Sequence, residues 1–342
     1  MIQLPKYIIK RICVVGDNPI FRCYGVEEIL LDNTIDQNIL SREPFVIEHD
    51  GRKLLFTSKL DDPNIEEYQY AVLVNRKPTA SLFRNAEFKS YEWLKHPHMN
   101  DTLTPDEIAQ TWRGKFTFIE EDKANNLQGL RAPQAEAIHA WLSSRHSRKD
   151  RATIVMPTGT GKTETMLGIM VAAQCKKILV TVPHDALREQ ISDKFITLGK
   201  LHEFGIVTDD CKCPYVGVVN KGMSDIEDWR ILIDKSNVIV TTMALLVNAS
   251  LEVKQLLSSR VTNVYVDEAH HVEASTWSNF IDSFERTKIT QFTATPFRND
   301  GKKLKGEFVY AFSLRDAQQQ GYYQRINFLP VYQVDKEKQM KR

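Results

Sequence analysis

The chain has 342 residues, 42% hydrophobic and 26% charged, with 45 Lys and Arg against 44 Asp and Glu. This is the make-up of an ordinary packed protein of about two domains, and it excludes a disordered or fibrous chain. The formal net charge of +1 excludes capture of a polyanion by bulk charge, so such a partner needs a local basic surface.

The first fifteen residues are too short and too interrupted by Lys and Arg for a secretory signal, and no stretch approaches a membrane span. Cys13, Cys23, Cys175, Cys211 and Cys213 are an odd set without framework spacing, which fits a reducing compartment. The expectation is a cytoplasmic protein with no membrane contact. Short β-type runs follow at Tyr7 to Val15, Phe45 to Glu48, Lys53 to Thr57 and Tyr68 to Val74. His49-Asp50-Gly51 joins two of them as a hairpin turn. Glu87 to Leu94 and Thr104 to Trp112 read as helices, the second with Thr104 as cap and Pro105 in its first turn. These elements predict a small accessory α+β domain over residues 1–120. Asp62 with Glu87-Phe88-Lys89 loosely fits a nuclease metal pattern, but in a chain this rich in charge the better reading is surface carboxylates. Phe116 and Phe118 read as core in preference to a stacking platform.

A second character begins near Asn125. Leu130-Arg131-Ala132-Pro133-Gln134 opens a helix running to about Ser143. Apolar runs at Ala152–Met156, Lys177–Val182, Tyr215–Val219, Asn237–Thr241, Asn263–Val266 and Lys288–Phe292 then alternate with helical segments. Strand–helix alternation with nearly continuous apolar strands predicts an α/β domain over 121–323, a parallel sheet covered on both faces. Ligands of such sheets lie at the carboxyl ends of the strands. The basic run Arg145 to Arg151 falls at the other end and reads as a solvated loop.

Met156-Pro157-Thr158-Gly159-Thr160-Gly161-Lys162-Thr163 joins the strand at 152 to a helix from Glu164 to Ala173. Strand, glycine-rich turn and helix is the setting in which backbone N–H groups and a helix N-terminus converge on an anion. Lys162 would reach the β- and γ-phosphates and the Thr163 hydroxyl would ligate Mg²⁺. The strict pattern fails at its first glycine, where Met156 stands. Downstream, Val264-Tyr265-Val266 delivers Asp267-Glu268-Ala269-His270 at a strand end. Asp267 suits the metal, and Glu268 suits the attacking water.

These residues, with Thr293-Ala294-Thr295-Pro296, resemble the superfamily 2 helicases and translocases over about Asn125 to Tyr323. The box is of the DEAH type, and Phe292 to Lys302 is similar to the group holding restriction-enzyme motor subunits and bacterial anti-phage helicases. The resemblance implies a RecA-like P-loop NTPase sheet, ATP with Mg²⁺, and hydrolysis coupled to movement on DNA. It implies adenine recognition by Gln134 beside Arg131, and phosphate handling by Pro157 to Thr163 with Lys162 and Glu268 catalytic. It implies nucleic-acid contacts at Pro183, His184, Arg188, Thr241 and Thr242, and coupling through His270, Thr293 and Thr295. Family motors close over ATP with a second RecA-like domain carrying an arginine finger, so residues 324–342 read as a linker toward one held elsewhere in the protein or by a partner chain. The chain alone is then expected to bind ATP·Mg²⁺ and turn it over slowly. Two rivals stand beside this reading: an RNA helicase, and an ATP-gated binding module without turnover.

Overall fold

The computed structural model describes residues 1–4, 8–24, 29–34, 36–87, 92–97, 102–271, 280–297 and 304–323. The strands in chain order begin with β1 (Ile2–Gln3), β2 (Ile8–Val15), β3 (Asn18–Tyr24) and β4 (Leu30–Leu31). Next come β5 (Ile39–Arg42), β6 (Phe45–His49), β7 (Arg52–Thr57), β8 (Tyr70–Leu73) and β9 (Glu92–Lys95). The remainder are β10 (Ala152–Val155), β11 (Ile178–Val182), β12 (Val216–Val218), β13 (Val238–Thr242), β14 (Asn263–Val266), β15 (Ile289–Thr293) and β16 (Glu307–Ala311). The helices are α1 (Ala80–Arg84), α2 (Pro105–Thr111), α3 (Ala132–Ser144), α4 (Lys162–Ala172) and α5 (Asp185–Thr197), then α6 (Ile226–Asp234), α7 (Met243–Val247), α8 (Leu251–Arg260) and α9 (Leu314–Gln319).

The six expected apolar runs become six parallel strands, joined by β16 in the order β16-β10-β15-β14-β11-β13-β12. Each is short and apolar because both faces are covered. On β11, Ile178, Val180 and Val182 join the core under α3, α4 and α5, while Leu179 joins the core under α6, α7 and α8. Burial on both faces is what favours continuous Val and Ile over an alternating pattern. All six strands end on one rim, and that rim carries the motifs.

The N-terminal segment divides differently from the sequence expectation. β5 to β9 form a five-stranded sheet of their own around Phe45, Phe56, Val72, Phe83 and Trp93. The predicted turn is present: Asp50 and Gly51 both take positive φ, 50° and 73°, between β6 and β7, which suits the right-handed twist of a two-residue hairpin. The β2–β3 hairpin, however, joins the large sheet, with β3 running antiparallel to β12. Trp112, fully buried, belongs to the core under α3 and donates its indole N–H to Lys212 O at 2.9 Å. A boundary at residue 120 therefore crosses the packed core.

The predicted helix Glu87 to Leu94 is corrected: residues 92–95 are strand β9, where Trp93 must reach the small core, and residues 88–91 lie outside the described residues. Thr104 caps α2 as expected, in a reciprocal box with Glu107. The 324–342 segment lies outside the described residues. No helix among the described residues is long and apolar enough to cross a membrane.

Candidate nucleotide site

The turn between β10 and α4 shows why the leading position tolerates methionine. Met156 is fully buried, continues the ladder by donating its N–H to Thr293 O at 2.8 Å, and offers its sulfur to the Thr165 hydroxyl. That position faces the core, where an apolar side chain is favoured. The next residues fold into a tight turn, Thr160 donating its hydroxyl to Pro157 O at 2.7 Å. Gly159 and Gly161 take φ of 83° and 98°, a region costly to residues with a Cβ. At Gly161 a Cβ would also lie 1.9 Å from Gln134 Nε2.

Two strands, β10 through the turn that follows it and β14, deliver the charged groups to one place. Lys162 Nζ lies 2.8 Å from Glu268 Oε1, although the two residues are far apart in sequence. Asp267 extends β14 by donating its N–H to Thr181 O at 2.9 Å, and it is 5% exposed. Its Oδ1 is buried with no hydrogen-bond partner, and burial pushes its carboxyl up to about 6 against the pull of Lys162. A buried carboxylate oxygen left without a donor suits a cation ligand. Glu268 adopts φ 48°, unusual for a side chain of its size, and this turn swings its carboxylate back over the loop. His270 Nδ1 lies 3.3 Å from Glu268 Oε2 and 3.1 Å from Thr293 Oγ1. Thr293 in turn donates to Thr295 O at 2.8 Å. Glu268, His270, Thr293 and Thr295 thus form one chain of contacts from β14 to the end of β15.

On the other side of the loop, Arg131 donates to Gly159 O at 2.7 Å. Gln134 accepts from Arg131 N at 2.7 Å and donates to Gly161 O at 3.3 Å. These groups border a cavity of about 450 Å³ that also takes in Thr158, Thr163, Asp267, Glu268 and, deeper, Lys194 and Phe204. The volume lies in the range of small-molecule sites. Its lining combines cationic groups, Arg131 and Lys162 among them, with apolar ones such as Leu201 and Phe204, the mix a triphosphate with a base would need. Thr163 and Asp267 are the described groups suited to a magnesium ion there, so the residues present fit ATP and Mg²⁺.

The nucleic-acid assignments fare unevenly. Pro183 and His184 stand at the start of α5, half-buried and exposed respectively. Arg188 is 6% exposed and pairs with Asp185 at 2.7 Å. Thr241 is wholly enclosed within the sheet and Thr242 is buried at the start of α7. A direct backbone contact by the Thr241 hydroxyl is therefore corrected: the strand is covered on both faces at that point. Phe118 stacks on His139 at 3.7 Å and Phe116 meets it edge-on, so neither faces the cavity. Asp62 caps a 3₁₀ turn and accepts from Thr57 and Asn64, a structural role that accounts for it. Sequence reasoning missed Lys194, Phe204 and Tyr323. Tyr323 Oη would lie 3.4 Å from a Cβ at Gly159, and Tyr322 lies under the Arg131 guanidinium at 5.5 Å. Nothing in local spacing announces contacts across so much chain.

Residues 128–298, half of the chain, match the profile of the family described as type III restriction enzyme, res subunit. The chain is 28% identical over 192 residues to the DNA 3'-5' translocase XPB2 of Sulfurisphaera tokodaii, a match covering 55% of this chain and 36% of that protein. It thus spans little more than a third of that curated relative. Among solved structures it is similar to the type ISP restriction-modification enzyme LlaGI with a DNA substrate mimic, at 20% identity and TM-score 0.40, covering 57% of this chain and 21% of that one. It is also similar to the UvsW helicase of bacteriophage T4, at 17% identity and TM-score 0.38, covering 68% and 75%. The sheet topology stands on its own strand order, independent of these distant likenesses. The family match joins the site geometry in one conclusion: the chain belongs to the family of type III restriction enzyme res subunits, a helicase-type domain of superfamily 2.

Proposed function

We propose that this chain is the first motor half of an ATP-dependent DNA helicase or translocase with a DEAH-type box, working in restriction or anti-phage defence. The observation that carries the reading is the convergence of Lys162, Asp267 and Glu268 on the glycine turn, with the buried Asp267 Oδ1 lacking a donor.

In this reading the loop N–H groups and Lys162 hold the β- and γ-phosphates, and Arg131 with Gln134 orients the base. Thr163 and Asp267 would hold a magnesium ion, which when bound would neutralise phosphate charge. Glu268 accepts the proton of the attacking water once Lys162 turns to the phosphates. His270, Thr293 and Thr295 transmit the state of Glu268 to the end of β15, where a second RecA-like domain docks. His184 and Pro183 face the nucleic-acid backbone at the start of α5, where contacts give affinity without sequence preference. An arginine supplied by a second RecA-like domain would accelerate turnover by roughly 10³–10⁵.

The test is titration of the chain with a fluorescent ATP analogue, with and without Mg²⁺, followed by competition between matched single-stranded DNA and RNA. Expected are Mg²⁺-dependent binding that vanishes in Lys162→Ala and preference for DNA. Binding indifferent to Lys162→Ala removes the reading, and RNA preference transfers the same chemistry to the other nucleic acid.

A further inference from the structure

The basic run Arg145 to Arg151 is solvated only in part: Arg145, His146, Ser147 and Lys149 are exposed, while two of its arginines are buried. Arg151 is 7% exposed and pairs with Asp282 at 2.6 Å. Arg148 is 5% exposed and is held by neutral acceptors, Thr287 O at 2.8 Å and Ser144 Oγ at 3.3 Å, with its guanidinium 5.2 Å from the Trp141 ring. Its Nε is buried without a partner. The carboxylate that weighs on it, Glu307, is turned to the backbone N–H groups of Lys149 and Asp150. A buried guanidinium without a close carboxylate is costly unless an anion comes to it.

Arg148 lines a cavity of about 360 Å³ with Arg145, Lys176 and Lys288. Asn263, Gln174 and Thr287 add neutral polar groups to the wall, and no carboxylate lines it among the described residues. Arg145 and Lys176 are exposed, and Lys288 is half-buried with a loose 3.6 Å contact to Glu285. The four cations precede β10, β11 and β15, on the rim opposite to Lys162 and Asp267. Cations from three separate chain segments therefore surround one recess, in a chain whose net charge is only +1.

We propose that this recess is a second phosphate site, taking a phosphate-type anion on the far rim of the sheet from the nucleotide. Guanidinium forks and ammonium groups on a wall with no carboxylate among its described residues are the chemistry that recognises phosphate oxygens. The anion comes either as soluble pyrophosphate or as the phosphodiester backbone of a bound strand, and the two sources separate by experiment.

The full chain, saturated with Mg·ADP so that the glycine loop is occupied, is titrated with pyrophosphate by calorimetry. A short single-stranded oligonucleotide is titrated in parallel by anisotropy over a range of salt. Both are repeated on Arg145→Ala/Lys176→Ala/Lys288→Ala, whose replaced side chains are exposed or half-buried; retained Mg·ADP binding certifies its fold. A soluble ligand is expected to lose at least about tenfold in pyrophosphate affinity in the variant. A backbone ligand is expected to lose oligonucleotide affinity, with the slope against log salt falling by about 2–3. If both affinities stay within about twofold of the parent, the proposal is overturned. Since Mg·ADP reports the other rim throughout, a failed titration with intact ADP binding counts against this recess alone.

Discussion

The Lys162 ammonium and the Glu268 carboxylate sit 2.8 Å apart, with side chains 9% and 15% exposed. Each is thereby the partner that keeps the other from being a lone buried charge, and on the proposed reading a bound nucleotide separates them. This competition gives the first prediction. Glu268→Gln should bind an ATP analogue several-fold more tightly than the parent, because Lys162 is no longer held, while turnover in the complete motor falls roughly 10²–10⁴-fold with the proton acceptor gone. Nucleotide titration and single-turnover hydrolysis read the two effects; weaker binding by the variant would refute the competition.

Gly161 supplies the second. A Cβ there meets Gln134 Nε2 at 1.9 Å and sits on a backbone of φ 98°. Gly161→Ala should cost at least about tenfold in nucleotide affinity, in line with roughly 1–2 kcal/mol for the left-handed backbone alone. Adding Gln134→Ala relieves the collision and leaves the backbone cost, so recovery should be partial. Gly114, φ 67° with nothing within 4 Å, is the control: Gly114→Ala should leave nucleotide affinity unchanged. Equal losses at both glycines would count against this account.

The third concerns the link from Glu268 through His270 to Thr293. Thr293→Val removes the hydroxyl that touches His270 Nδ1 at 3.1 Å and donates to Thr295 O. Basal ATP hydrolysis by the complete motor should persist while its stimulation by DNA falls several-fold. An unchanged ratio of stimulated to basal turnover would remove the coupling role.

A fourth follows from His202, whose imidazole is largely enclosed, with the Cys211 backbone beside it. Burial holds its pKa below the ordinary 6.5, with Lys212 pushing the same way and Asp209 opposing. The unfolded chain therefore takes up this proton before the folded chain does. The stability associated with neutral His202 is complete above 6.5 and is lost as pH falls below it. Urea midpoints at pH about 7.5 and about 5.5, either side of the ordinary histidine value, should drop more steeply for the parent than for His202→Phe. Parallel drops would exclude His202 as a source of the acid sensitivity.

The two motifs that make up the candidate site were legible in the sequence because each is local. A glycine turn between strand and helix, and a carboxylate pair at a strand end, are short patterns whose physical purpose is visible without neighbours. Strands β10 to β15 were legible for a similar reason, since burial on both faces writes itself into Val and Ile runs. What escaped depends on distant chain. β16 opens with Glu307, which accepts from Lys149 and Asp150, and Tyr310 within it donates to Glu136, so its outer residues do not read as core. Thr241 entered only through the resemblance, and its complete burial within β13 leaves no mark on the local sequence. The placement of Arg148 could not be read either: a guanidinium beside Trp141 and Thr287 has the same local sequence as one in water.

The first two dozen residues carry a practical warning for anyone who would shorten this protein. Ile20 and Phe21 of β3 pair with Gly217 and Val216 of β12, so a fragment trimmed to the family-matching region would leave β12 with a bare row of amides and carbonyls and Ile20's seat vacant. Such an unprotected border invites pairing between molecules. Insolubility in a trimmed fragment would then speak of a missing hem, not of a defective glycine loop.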